Sequence, residues 1–142
     1  MEDIIKNIYE QAKALGACDL FTGNEKTVED IVKLFLSTKG MEFCLRNHFP
    51  NLATFRLFKP YGLQKYGIYI DAGSITLRNP KRAILVGRTV ANIRCDTLER
   101  HEITLFQAAS ATINASGWSV VSVQGVRGTQ VIKNVSEHAI IL

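Results

Sequence analysis

The sequence contains no run of 18 apolar residues, only three cysteines and three prolines, and no nucleophile, phosphate or metal motif. Without a long apolar run no helix of this chain is expected to span a membrane. Its start, Met1-Glu2-Asp3-Ile4-Ile5-Lys6, lacks the basic, then apolar, then small-residue order of a signal peptide. A cytoplasmic chain, or one assembled into a larger particle without a cleaved signal, is therefore expected. Cys18, Cys44 and Cys95 are odd in number and form no C-x-x-C pair, which excludes a zinc ribbon or a thioredoxin-type centre. Cys18 and Cys44 could meet in space, but free thiols are the expectation in a reducing compartment. No serine stands in a G-x-S-x-G elbow and no G-x-x-x-x-G-K-[ST] loop is present. His48, His101 and His138 show no paired spacing, so nothing calls for a metal or another cofactor.

What remains is an ordinary globular composition, 46% hydrophobic and 21% charged over 142 residues. A chain of this length suits one domain that buries roughly two-thirds of its unfolded surface. The net charge is +4, and all of the excess falls after residue 60: residues 1–60 balance eight acidic against eight basic groups. The first part reads as helical. Ile4, Ile5, Ile8, Tyr9, Ala12 and Leu15 form a stripe at helical spacing that Gly16 can stop. Thr27 followed by Glu29 and Asp30 reads as a capped helix start, with Val28, Ile31, Val32 and Phe35 on one face. Lys39-Gly40 is expected to end or bend that helix, and the stripe resumes at Met41, Cys44 and Leu45 until Pro50. Residues 51–58 are ambiguous, since Phe55 and Leu57 alternate like a strand while Asn51 could cap a further helical turn. At Lys59-Pro60-Tyr61-Gly62 the period changes from 3.6 to 2. Residues 1–60 are thus a helical segment and 61–142 a repeat segment, folding as one cooperative unit.

In the repeat segment a short apolar pattern returns three times at a spacing of 28 residues: Ile75-Thr76-Leu77 with Ala83-Ile84-Leu85, Ile103-Thr104-Leu105 with Ala111-Thr112-Ile113, and Val131-Ile132-Lys133 with Ala139-Ile140-Ile141. Residues 75, 77, 83, 85, 91, 93 and 95 are apolar, the period of a strand with one buried face. Strands this short bury a face only by stacking on the next copy. The expected fold class is therefore α+β, with N-terminal helices capping a short parallel β-solenoid of about two and a half coils, three strands to a coil. Ile75 would stack on Ile103 and Val131, and Ala83 on Ala111 and Ala139. Lys133 falls at an inward position that only a rim coil tolerates.

The Gly-punctuated strands from Ile68-Tyr69-Ile70-Asp71-Ala72-Gly73 to Leu142 resemble right-handed parallel β-helix proteins in general, over a little more than half the chain. That architecture occurs in polysaccharide lyases and hydrolases, in phage tailspikes and fibres, and in bacterial polymer-forming cytoskeletal proteins. The resemblance implies a fold and no particular activity.

Three surfaces invite a function. Ile84, Val86, Trp118, Val120, Ile140 and Leu142 are expected to face outward, and an apolar outer face needs a cover. With a C-terminal coil that no polar residue follows, they point to a non-enzymatic structural or adaptor protein that associates with itself or another protein, as a phage, secretion-apparatus or cytoskeleton-like component. Asp96 and Glu99, in the polar connection Asp96 to Glu102, would be the acid and base of a carbohydrate-cleaving module, or with Trp118 part of a polysaccharide-binding one. A solvated loop is the plainer account of that connection. Arg78, Lys81, Arg82 and Arg88 would attract an anion. No aromatic interleaves them, which argues against nucleic acid. Asn114-Ala115-Ser116 and Asn134-Val135-Ser136 match the glycosylation pattern and read as chance.

Overall fold

The structure is a computed structural model that describes residues 2–16, 24–126 and 128–142. It divides into two compact units, residues 1–61 and 62–142. Cys18 lies outside the described residues, and with it the question of whether it meets Cys44.

The first unit contains α1 (Glu2–Ala14), α2 (Val28–Leu36), α3 (Thr38–Asn47) and α4 (Leu52–Phe58). In α1 the residues Ile5, Ile8 and Ala12 are buried, one face at the spacing read from the sequence. A capping box opens α2: the Thr27 hydroxyl accepts the Asp30 N–H at 3.1 Å, and the Asp30 carboxylate accepts the Thr27 N–H at 3.2 Å. The break after α2 comes earlier than Lys39-Gly40. Ser37 ends α2 and caps α3, its hydroxyl accepting the Gly40 N–H at 3.0 Å. Gly40 lies inside α3, where a Cβ would sit 1.9 Å from the Leu34 carbonyl oxygen; close approach to the preceding helix is what selects glycine there. Residues 52–58 are helical, because the Asn51 side chain accepts the Thr54 N–H at 2.9 Å and Phe55 and Phe58 then share a buried face.

The second unit is a two-sided parallel solenoid. One sheet, here sheet A, has the order β1 (Ile68–Ile70), β3 (Arg82–Val86), β5 (Arg100–Phe106), β7 (Val120–Gly125), β9 (Ile140–Ile141). The other, sheet B, has the order β2 (Gly73–Arg78), β4 (Thr89–Cys95), β6 (Ser110–Ala115), β8 (Gln130–Val135). All neighbours pair in parallel. The chain alternates between sheets, so a coil holds two strands rather than three, and there are about four coils rather than two and a half.

Register corrects the 28-residue repeat. Ile75 faces Ala91, 16 residues on; Ala91 faces Ala111 and Ala111 faces Val131, each 20 residues on. A step of 28 is one and a half such coils, and it lands on the opposite sheet. Ile75 therefore does not stack on Ile103, and Ala83 faces Ile103 rather than Ala111. Two steps of 28 do return Ile75 to its own column at Val131. The pattern was detectable because the inward positions of both sheets hold the same kind of residue.

The inward set stands as read. Ala83, Leu85, Ala91, Ile93, Cys95, Ile103, Leu105, Ala111, Ile113 and Val121 form one buried core, with Ile75 and Leu77 packed against it. Large side chains stack on one another in the Leu77, Ile93, Ile113 column and small ones in the Ala91, Ala111 column beside it, so the bulk of the interior is set column by column. Lys133 is in register with Ile113 and is exposed on the fourth coil, where its ammonium reaches water. His101 also points inward, in register with Val121, and is 0% exposed. Its Nδ1 lies 2.8 Å from the Pro80 carbonyl oxygen and its Nε2 3.3 Å from the Thr97 hydroxyl, so neither ring nitrogen is left without a partner in the dry interior.

Polar clamps turn the corners that lead from sheet B to sheet A. Asn79, at φ 50°, donates from Nδ2 to Asp96 Oδ1 at 2.8 Å, and its own oxygen accepts the Asp96 N–H at 2.8 Å. In the next corner the Ser119 hydroxyl donates to the Ser116 carbonyl at 2.8 Å, and Gly117 takes φ 64°, where an added Cβ would sit 3.0 Å from the Asp96 carbonyl oxygen.

Candidate functional site

The outer face of sheet A is apolar along much of its length, and its exposure changes from coil to coil. Ile68, Ile70, Ile84, Val86 and Phe106 are buried. Ile84 and Val86 face outward by register as expected, yet both are 0% exposed, which removes them from the residues free to meet a partner. Further along the same face Val120 is half-buried and pairs with Ile140, which is 52% exposed. Leu142 follows, 61% exposed, its N–H donated to the Val121 carbonyl at 2.7 Å.

The corner beside these residues extends the apolar surface. Leu98, Trp118 and His138 are 20 residues apart, the spacing of the strands that flank them. Leu98 is 81% exposed and Trp118 61% exposed. The Trp118 and His138 rings stack with centroids 4.0 Å apart and planes 10° from parallel. The stack covers one face of the indole with the His138 ring and sets its orientation at the corner. Trp118, Val120, Ile140 and Leu142 thus form one patch.

Asp96 and Glu99 are held in different ways. Asp96 is bound by Asn79 and, at 3.2 Å, by the Arg78 guanidinium. The Asn79 hydrogen bond, then the charge and hydrogen bond of Arg78, hold its carboxyl below the usual carboxylate range, suiting it to remain an ionised clamp. Glu99 is exposed and contributes its backbone, the N–H to the Thr97 carbonyl and the carbonyl to the Val120 N–H. Glu102 faces Arg82 at 3.4 Å and Arg100 at 3.9 Å.

The four basic residues are not brought together. Arg78, Lys81 and Arg82 lie where β2 passes to β3, whereas Arg88 lies beyond the far end of β3, at the opposite corner of the coil. At roughly 3.3 Å per strand residue the two corners are some 15–20 Å apart. Arg78 and Arg82 are already paired with carboxylates.

The outer face of sheet B carries a feature that the sequence reading missed. Arg94, Asp96, Asn114, Ser116, Asn134 and Ser136 line an open cleft of about 250 Å³, together with Ala115 and Val135. Arg94, Asn114 and Asn134 share a column, and Asn134 Nδ2 donates to Asn114 Oδ1 at 3.0 Å. The signal was present in the two Asn-x-Ser triplets, which lie 20 residues apart and mark the true coil length.

Burial pushes the Cys44 thiol up to about 12; burial, with the neighbouring Asp96 charge, raises Cys95 to about 11. Both are kept as unreactive thiols. Among the described residues no group of three His, Cys, Asp or Glu gathers closely enough to hold a metal ion, and no helix is long and apolar enough to cross a membrane. No protein-family model, curated protein or solved structure matches this chain.

Proposed function

We propose that this chain is a non-enzymatic assembly or adaptor module that self-associates through the patch formed by Trp118, Val120, Ile140 and Leu142. The observation that carries the reading is a contrast on the outer face of sheet A: Ile84, Val86 and Phe106 are apolar and buried, whereas Val120 is half-buried and Ile140 and Leu142 are apolar and exposed. A flat aromatic anchor beside aliphatic side chains is the composition of an interface centre. A patch that meets its own copy across a two-fold axis closes the assembly as a dimer.

The strand edge of the last coil supports a face contact over sheet extension. Lys133 occupies an inward column position on β8, so a further strand laid on that edge would bury its ammonium against the partner. A structural role within a particle, secretion apparatus or filament fits such a module. Light scattering over a concentration series tests it: the mass should rise with concentration for the native chain and stay at the monomer value for Ile140→Asp. A monomer at every concentration, or association indifferent to that substitution, rejects the proposal.

A further inference from the structure

The cleft on the outer face of sheet B serves neither the apolar patch nor the core. Its cation, Arg94, acts on the Asp96 carboxylate by charge alone. Arg94 makes no hydrogen bond or ion pair with the described residues, whereas the nearby Asp96 carboxylate is already held by Asn79 and Arg78. The guanidinium donors, which that interaction leaves unpaired, form a planar fork that matches a carboxylate. Beside it the carboxamides form a chain, Asn134 donating to Asn114 and Asn114 to Asn92, and Asn114 and Asn134 each retain one amide N–H for a ligand. The Ser116 and Ser136 hydroxyls have no hydrogen-bond partner among the described residues.

The spacing of these groups decides between the chains that could lie there. Along the solenoid axis equivalent groups recur at the distance between neighbouring strands, about 4.8 Å, while an extended peptide advances only about 3.3 Å per residue. A peptide laid along this column falls out of step within two residues. One sugar unit of an extended glycan is close to the strand spacing, and its hydroxyls both donate and accept, as carboxamides and serine hydroxyls require. We infer that the cleft binds an acidic oligosaccharide, with a sugar carboxylate on Arg94 and ring hydroxyls along Asn114, Asn134, Ser116 and Ser136. The site is separate from the self-association patch, and its failure would leave that reading standing.

Calorimetric titration of the full chain with a uronic-acid tetrasaccharide tests the inference. The tetrasaccharide should bind, its carboxyl-reduced neutral counterpart about tenfold more weakly, and Arg94→Gln should lose about tenfold for the acidic sugar alone. Asn134→Ala should weaken both sugars by a similar factor, and Ile140→Asp should change neither. Arg94 and Asn134 are exposed, and unchanged melting temperatures of the variants would confirm that they fold. No binding of the tetrasaccharide, equal binding of the neutral sugar, or equal binding of inorganic phosphate or an acidic peptide would each overturn the inference.

Discussion

The column Leu77, Ile93, Ile113, Lys133 runs through all four coils of sheet B and gives the stacking register a quantitative test. Alanine at each position removes side-chain volume from the same column at a different depth. Ile93 and Ile113 are both 0% exposed with a neighbour above and below, so each truncation leaves a cavity that its surroundings cannot fill and should cost about 3–4 kcal/mol. Leu77 lies on the open first coil, half-buried, and should cost about 1–2 kcal/mol by its smaller buried area. Lys133 is exposed, and Lys133→Ala should fall within about 0.5 kcal/mol of the native chain. Urea unfolding followed by the fluorescence of Trp118, the single tryptophan, reports on the unit that holds the column. Midpoints should shift in the order Ile93 and Ile113, then Leu77, then Lys133, with unchanged slopes. The Ile93→Ala, Ile113→Ala double variant should depart from additivity by about 0.5 kcal/mol or more, since the two side chains share one cavity. A flat series, or a Lys133→Ala cost equal to that of Ile93→Ala, would refute the register.

Three further outcomes are expected. Asp96 titrates below its unfolded value, so its clamp contributes stability that is full above about pH 4–5 and is lost as pH falls through the lowered folded value. Asp96→Asn should therefore be less stable than the native chain at neutral pH, with the gap closing on acidification; a gap that is constant with pH would contradict the ionised clamp. Gly117→Ala should destabilise by more than Gly73→Ala, because both force alanine to positive φ at about 1–2 kcal/mol but only at Gly117 does the new Cβ meet a backbone oxygen, at 3.0 Å; thermal melts compare the two. Lys133→Ile should add edge-mediated aggregation to the native behaviour, seen as species larger than the dimer in sedimentation velocity, and an unchanged profile would show that the lysine guards nothing.

Alternation was legible in the sequence because it is local: one apolar residue in two places Ile75, Leu77, Ala83, Leu85, Ala91 and Ile93 inside whatever the register is. Register is a long-range property. The inward columns of the two sheets hold interchangeable Ala, Ile and Leu, so a half-coil error costs the pattern nothing, and the 28-residue spacing looked sound. The outward residues carry the distinction. Asn114 with Ser116 and Asn134 with Ser136 repeat at the coil length because one amide donates to the next and each serine carbonyl accepts in the turn that follows, Ser116 from the Ser119 N–H and Ser136 from the Ala139 N–H. The helix over residues 52–58 was hidden by Phe55 and Leu57, which alternate by accident; the cap at Asn51 decided it. Burial of Ile84 and Val86 could not be read from a strand pattern, which tells which way a side chain faces and not what lies beyond it. The cleft at Arg94 was missed for a similar reason: the two Asn-x-Ser triplets stood in the sequence, but only the register stacks them on Arg94 and Asp96 of a third coil.

Hydrogen exchange measured by mass spectrometry at two protein concentrations tests most directly where copies meet. The account predicts that raising the concentration slows exchange in peptides containing residues 117–121 and 138–142, with β2 and the outer face of β6 unchanged. Slowing confined to β2 or β8, or a rise in mass with no protection at the Trp118 patch, would contradict it.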